Sequence, residues 1–166
     1  GKGKRGMCSN ERGITKSSNM GKLYERIINN RTLEAINMSQ DQAGGKRGAA
    51  TTDHIALVNE AIHQAKKLKK KIYMTYLDVT KAYDKAWLDA IMYVLHKEGL
   101  DSPEWIIIKK LNENLTATIQ TKYGDTREIK ITDSIRQGGV LSVVEYAALM
   151  DEISKEIKKE NLGIHI

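Results

Sequence analysis

The segment of residues 72–84 constrains this chain most, because a β-rich hydrophobic run leads directly into an acidic residue and a polar turn. Its β-branched and aromatic residues predict a buried strand over 72–79. Asp78, at the exposed end of such a strand, would point into a cleft and suit Mg²⁺, which prefers oxygen ligands. The small Ala82 beside Lys81 would let backbone N–H groups approach a triphosphate. Taken alone, an Asp at a strand end is more often a helix cap or a surface acid.

Around this segment, the spacing of apolar residues predicts five helices and one hairpin. The helices are expected over residues 20–36, 51–69, 87–99, 103–115 and 141–159. In the first helix, the apolar face comprises Leu23, Ile27, Ile28, Leu33 and Ile36. Alternating residues on both sides of a Tyr-Gly-Asp-Thr turn predict the hairpin. The expected fold class is α+β, with helices packed on a small, incomplete antiparallel sheet.

The positive charge is concentrated near the N-terminus, where residues 1–50 hold ten Lys and Arg against four Asp and Glu. Residues 1–12 read as a flexible basic leader. This excess suits a polyanionic partner, although a plain solvated surface is the alternative. The single Cys8 permits neither an internal disulfide nor a cysteine-based zinc site. No apolar run approaches the roughly 20 residues that span a bilayer, so we expect an intracellular protein without membrane contact.

Four blocks of sequence, in order, resemble the reverse transcriptases of the non-LTR retrotransposon (LINE-like) and group II intron-like branch. They are Glu-Arg-Gly-Ile at 11–14, the Gly-rich and basic stretch 42–54, Leu-Asp-Val-Thr-Lys-Ala-Tyr-Asp-Lys-Ala-Trp at 77–87, and Ile-Arg-Gln-Gly-Gly-Val-Leu-Ser at 135–142. Any single block is a weak signal. Together they cover roughly residues 11–151 and carry the resemblance.

The resemblance implies an RNA-directed DNA polymerase that transfers nucleotides by a two-metal mechanism. It assigns Asp78 as the first catalytic aspartate, which holds Mg²⁺, and gives Val79 a backbone carbonyl ligand. Tyr83 would be the aromatic gate beneath the incoming sugar, with a core tyrosine as the alternative. Gln137 and Gly138 would lie beside the nascent base pair, where glycine allows close approach of the backbone.

The same resemblance makes weaker assignments in the basic N-terminal part. Arg12 would clamp the triphosphate, although Gly13 stands where the family has proline. Lys46 and Arg47 would touch template phosphates, or simply be solvated. Outside this part, the residues of the turn after Asp78, and not the resemblance, lead us to expect that Lys81 and Ala82 bind the incoming nucleotide.

The resemblance also implies the fingers and partial palm of a right-hand polymerase, with a fingers-like helical region at 13–70 and a palm part at 71–166. The family's aromatic-x-Asp-Asp motif is missing from these residues, and Asp151-Glu152 is expected on a helix surface. The sequence further departs from the family at Glu145, where an apolar residue is usual.

We therefore expect the isolated chain to bind Mg²⁺ weakly and not to polymerise. The intact parent would use an RNA template, a DNA primer and dNTPs. A non-catalytic nucleic-acid-binding or structural remnant is the alternative, and an unrelated α+β binding domain is a further one. Self-association through an exposed palm surface is also expected.

Overall fold

Five helices and two short antiparallel strand pairs form the part of the chain that the computed structural model describes, residues 14–46, 48–131 and 134–160. The helices are α1 (Asn19–Ala35), α2 (Thr51–Lys67), α3 (Leu88–Lys97), α4 (Pro103–Asn112) and α5 (Ser142–Lys159). The strands are β1 (Thr116–Ala117), β2 (Gln120–Thr121), β3 (Gly124–Asp125) and β4 (Ile129–Lys130). The α+β class and the five helices are as predicted.

The strands form one hairpin between α4 and α5. β1 pairs with β4, placing Thr116 opposite Lys130, and β2 pairs with β3, placing Gln120 opposite Asp125. Gly124 adopts a φ of +118° at the tip, a conformation open to glycine. The predicted hairpin is therefore confirmed, with strands of only two residues each.

The hydrophobic core lies where α3 packs on both α4 and α5, with α1 packed on α4. Its main buried side chains are Ile28, Ile91, Met92, Val94, Leu95, Leu100, Ile108, Leu141, Val144 and Ala148. Full burial of each Ile or Leu stabilises the fold by about 1.5–3 kcal/mol before entropy is counted. This core fixes α5 and the turn that precedes it.

The predicted apolar face of α1 is confirmed in part. Ile28 and Ile36 are buried and Leu33 packs against the core, whereas Leu23 and Ile27 are exposed. Glu25 and Thr32 are buried as well, because residues spaced by three and four lie on one helical stripe with Ile28. The Thr32 hydroxyl donates to the Ile28 carbonyl at 2.9 Å, which satisfies it inside the fold. Polar and apolar residues therefore share the buried face.

Capping residues set the ends of three helices. The Ser18 hydroxyl accepts a hydrogen bond from the Gly21 N–H at 3.0 Å at the start of α1. At the start of α2, the Asp53 carboxylate accepts from the Ala50 N–H at 2.9 Å. Gly99, at a φ of +107°, follows the C-terminus of α3, where the sequence predicted a stop.

The prediction of a buried strand over residues 72–79 is wrong. No strand is present there among the described residues, and Tyr76 and Leu77 are each 79% exposed. In the described part of the chain, the hairpin strands pair only with each other. An extended segment without a neighbouring strand keeps its backbone polar groups in water. Most side chains of this hydrophobic run are therefore exposed to solvent.

The α2 helix is also exposed. None of its described side chains is buried, and Ile55, Leu57 and Val58 face solvent. Among the described helices, none combines the length and apolar character needed to cross a membrane.

Asp151 is buried, contrary to the expectation that Asp151-Glu152 would lie on a helix surface. Its carboxylate accepts from the Ser39 N–H at 2.9 Å and pairs with Lys155 at 3.1 Å. Lys155 also pairs with Glu98 at 2.5 Å. Burial acts to raise the pKa of Asp151, but the bonds from Ser39 and the charge of Lys155 prevail and lower it. The loop after α1 is thereby fastened to α5.

Candidate functional site

A cavity of about 170 Å³ lies where the turn following residue 79 meets the turn around Gln137. Its lining residues are Val79, Lys81, Ala82, Tyr83, Asp84 and Gln137. All of these except Asp84 were predicted as site residues from the sequence. The fold thus brings together two segments that are far apart along the chain.

The first wall of the cavity is the turn that carries Lys81 and Tyr83. Lys81 has a φ of +54°, which is uncommon for a residue with a side chain, and its carbonyl accepts from the Lys85 N–H at 3.1 Å. The Tyr83 carbonyl accepts from the Ile135 N–H at 3.0 Å. The ring of Tyr83 packs on Tyr146 with centroids 5.4 Å apart. Backbone and ring contacts therefore both tie this wall to the segment leading into α5.

Asp78 is exposed and lies beside the cavity rather than in its lining. The pKa of the Tyr146 phenol is raised, mainly by burial and then by Tyr83 and by the charge of Asp78. Asp78 is therefore close enough to Tyr146 to act on it electrostatically. The described residues contain no group of three or more His, Cys, Asp or Glu side chains that could hold a metal ion. Mg²⁺ is commonly held by one or two carboxylates together with waters and substrate phosphates, and Asp78 offers one such carboxylate.

The second wall is the turn of Gln137 and Gly138. The Gln137 carbonyl accepts from the Thr15 N–H at 2.8 Å. Gly138 has a φ of +106°, and a Cβ there would lie 3.0 Å from the Thr15 carbonyl oxygen. Only glycine fits this close approach without strain, which supplies a physical reason for Gly at this position.

A buried carboxylate lies directly behind the second wall. Glu25 of α1 is 2% exposed and pairs with Arg136 at 2.8 Å. It also accepts from the Val140 N–H at 2.7 Å. Sequence reasoning missed Glu25, although its spacing from Ile28 and Thr32 was the signal that could have found it.

A second buried acid, Glu145, stands on α5 near the same turn. It is 1% exposed and accepts from the Asn112 side-chain amide at 2.7 Å. Burial raises the pKa of Glu145 to about 7, although the bond from Asn112 and the charge of Arg136 act to lower it. Glu25 acts in the same direction as burial. A group that titrates near neutral pH therefore lies behind the cavity.

Of the three N-terminal basic residues that were predicted to contact phosphates, the structure describes one. Lys46 is exposed on the loop between α1 and α2, whereas Arg12 and Arg47 lie outside the described residues. This loop is held against α5, since the Gln42 side-chain amide donates to the Ala147 carbonyl at 3.1 Å. Neighbouring Gly45 is so close to α5 that a Cβ there would lie 2.5 Å from a methyl group of Val143.

Comparison with known proteins matches residues 2–166 to the family described as "Reverse transcriptase (RNA-dependent DNA polymerase)". Over 146 residues, 87% of this chain, it is 30% identical to "Retrovirus-related Pol polyprotein from type-1 retrotransposable element R2" of Popillia japonica. Over 146 residues, 86% of the chain, it is 22% identical to "Probable RNA-directed DNA polymerase from transposon BS" of Drosophila melanogaster. The aligned part spans only 20% and 16% of these two relatives.

Proposed function

This chain belongs to the reverse transcriptase family, as its four sequence blocks predicted, and we propose that it forms the nucleotide-binding part of a larger RNA-directed DNA polymerase. The observation that carries the proposal is the cavity in which the turn bearing Tyr83 meets Gln137. A site for an incoming nucleotide needs an aromatic surface for its sugar and polar groups at defined positions. Tyr83 and Gln137 supply both in one cavity.

We assign the aromatic gate to Tyr83. Its ring is backed by Tyr146, and its carbonyl is bonded to the Ile135 N–H, so both ends of the residue are fixed. A fixed ring beneath the incoming sugar would exclude an additional hydroxyl group. Lys81 and the backbone at Ala82 would contact the triphosphate from the same turn. Gln137 and Gly138 would lie against the nascent base pair.

We assign the first catalytic carboxylate to Asp78, with the Val79 carbonyl beside it. Mg²⁺ is the divalent cation that we propose, since carboxylate and phosphate oxygens suit it. When bound, such an ion stabilises negative charge on the phosphoryl group during transfer. Because Asp78 is a single carboxylate, other ligands must come from the nucleotide or from elsewhere in the polymerase.

We further propose a right-hand architecture, with residues 13–70 in the fingers and 71–166 in the palm. The exposed run 72–79 suits a palm strand that pairs with other parts of the polymerase. The template RNA and DNA primer would pass Lys46, and by sequence also Arg12 and Arg47. Self-association through the exposed run is the alternative way to cover its apolar side chains.

Primer extension tests this function. A polypeptide that contains this chain and continues through the second aspartate motif and thumb is assayed with Mg²⁺, dNTPs, an RNA template and a DNA primer. We expect it to synthesise DNA, and we expect Asp78→Asn to reduce synthesis by roughly 10³-fold or more, because the metal loses its carboxylate. The matched control is Asp125→Asn, which alters an exposed Asp on the hairpin.

If Asp78→Asn and Asp125→Asn reduce DNA synthesis equally, Asp78 has a general role in folding rather than a role in catalysis. Absence of synthesis by the folded wild-type polypeptide would favour a non-catalytic nucleic-acid-binding remnant. The 166-residue chain alone is expected to remain inactive in the same assay.

A further inference from the structure

We propose that Glu25 is a positioning residue, whose buried carboxylate sets the orientation of the Gln137-Gly138 turn toward the incoming nucleotide. This inference rests on the proposed polymerase function. Glu25 lies on α1, far from the cavity along the sequence, and it does not line the cavity. It would act through the turn and not through contact with the nucleotide.

The two oxygens of the Glu25 carboxylate bind the two ends of the turn. Oε1 pairs with the Arg136 guanidinium at 2.8 Å, one residue before Gln137. Oε2 accepts from the Val140 N–H at 2.7 Å, two residues after Gly138. One side chain therefore fixes the distance across the turn, and both bonds are charge-assisted.

Further bonds determine which way the turn faces. The Ser142 hydroxyl lies 2.6 Å from the Arg136 carbonyl oxygen and 2.8 Å from that of Gly139, within the base of the turn. On the other side, the Thr15 N–H donates to the Gln137 carbonyl. The turn is thus held from both sides at the point where Gln137 lines the cavity.

Packing alone does not account for an acid at this position. A carboxylate at 2% exposure loses most of its hydration, and an apolar residue of similar size is often at least as stabilising as a buried ion pair. Removing one partner, by contrast, leaves the other charge buried and unpaired. The arrangement suits a residue whose role is to define geometry, because an apolar side chain could bond neither Arg136 nor Val140.

The test uses the active polymerase polypeptide and compares Glu25→Gln with Glu34→Gln, an exposed Glu on the same helix. Glutamine keeps the size of the side chain but cannot accept from both donors at full charge. We expect KM for the dNTP to rise roughly tenfold in Glu25→Gln, with a smaller change in kcat. Arg136→Met, which removes the donor of the same contact from the turn side, should raise KM in the same way.

Hydrogen exchange at the Val140 amide supplies a second readout. This amide should exchange faster in Glu25→Gln than in wild type or in Glu34→Gln, because its acceptor is weakened. A purely structural role would lower the amount of active enzyme, and so the apparent kcat, while KM stays unchanged.

An unchanged KM in Glu25→Gln, an equal rise in Glu34→Gln, or failure of both the Glu25 and Arg136 variants to fold would each overturn the proposal. A wild-type polypeptide that makes no DNA would refute the polymerase function itself. The two failures are therefore distinguishable.

Discussion

The Gln137 wall of the cavity and the run 72–79, which leads into the opposite wall, differ in how firmly the rest of the molecule holds them. The Gln137 wall is backed by the buried side chains of Glu25 and Leu141, and Glu25, Thr15 and Ser142 all make hydrogen bonds to it. The run that leads to Asp78 has Tyr76 and Leu77 each 79% exposed, and its residues form no strand. Both regions carry predicted site residues, so importance to function does not explain the difference.

The difference lies in where the partners of each region are found. α1 supplies the Glu25 acceptor and α5 the Ser142 donor for the Gln137 wall, next to the buried side chains of Ile135 and Leu141. The run 72–79 is as hydrophobic as a core strand, but the described residues offer it no neighbouring strand. The described part of the chain therefore supports the Gln137 wall and leaves the run exposed.

The largest expected effect is the difference in stability lost when a leucine is shortened beside the Gln137 wall or in the run 72–79. Leu141→Ala removes a side chain that is 1% exposed and should lower the free energy of unfolding by about 2–5 kcal/mol. Leu77→Ala removes an exposed side chain and should cost about 0.5 kcal/mol or less. Urea unfolding of the 166-residue chain, followed by tryptophan fluorescence, measures both.

The same pair sharpens the comparison in the longer polymerase polypeptide. If residues 72–79 pair there as a palm strand, the cost of Leu77→Ala should rise toward that of Leu141→Ala. A large cost for Leu77→Ala already in the 166-residue chain would mean that the run 72–79 is held as firmly as the Gln137 wall.

The sequence predicted those features that depend on local periodicity. The helices, the Gly99 stop and the hairpin follow from spacing and turn residues that are close together in sequence. The Gln137 turn and the turn after Asp78 were likewise found from their motifs. The two turns line one cavity, and both belong to the motifs that carry the family resemblance.

Features that depend on distant partners escaped prediction. Glu25 and Asp151 carry charge, so periodicity alone assigns them to the surface, yet Arg136 and the Ser39 N–H compensate their burial. Both of these partners lie more than 100 residues away in sequence. The prediction for residues 72–79 failed in the opposite sense, because an apolar strand is buried only where a neighbouring strand pairs with it, and hydrophobicity does not reveal that neighbour.

Ionisation of Glu145 offers a way to weaken the firmly held wall. The pKa of Glu145 is raised by burial from 4.5 to about 7, so the folded chain retains a proton that the unfolded chain releases. The free energy of unfolding should therefore fall as pH rises from about 4.5 to about 7, and level off above that range. Glu145→Gln removes this loss and keeps an amide oxygen that can accept from Asn112.

We expect Glu145→Gln to be more stable than wild type at pH 8, by up to about 3 kcal/mol, and to approach wild type near pH 4.5. Urea unfolding at pH 5 and pH 8 measures the difference, with exposed Glu34→Gln as the control. Parallel pH profiles for wild type and Glu145→Gln would show that Glu145 ionises in the folded chain as easily as in the unfolded one.

The smallest effect tests whether the Gln137 wall is held by close backbone contact as well as by charge. Gly138 and Gly124 both have positive φ, +106° and +118°. A Cβ on Gly138 would lie 3.0 Å from the Thr15 carbonyl oxygen, whereas a Cβ on Gly124 would have no atom of a described residue beyond its chain neighbours within 4 Å. Alanine at either position should cost about 1 kcal/mol for its backbone conformation. Gly138→Ala should cost roughly 1 kcal/mol more, because the contact with Thr15 must open. Urea unfolding of the two variants isolates this increment, since the conformational cost is shared. Equal losses would mean that Thr15 moves aside freely and that the carboxylate of Glu25, rather than the contact with Thr15, holds the turn.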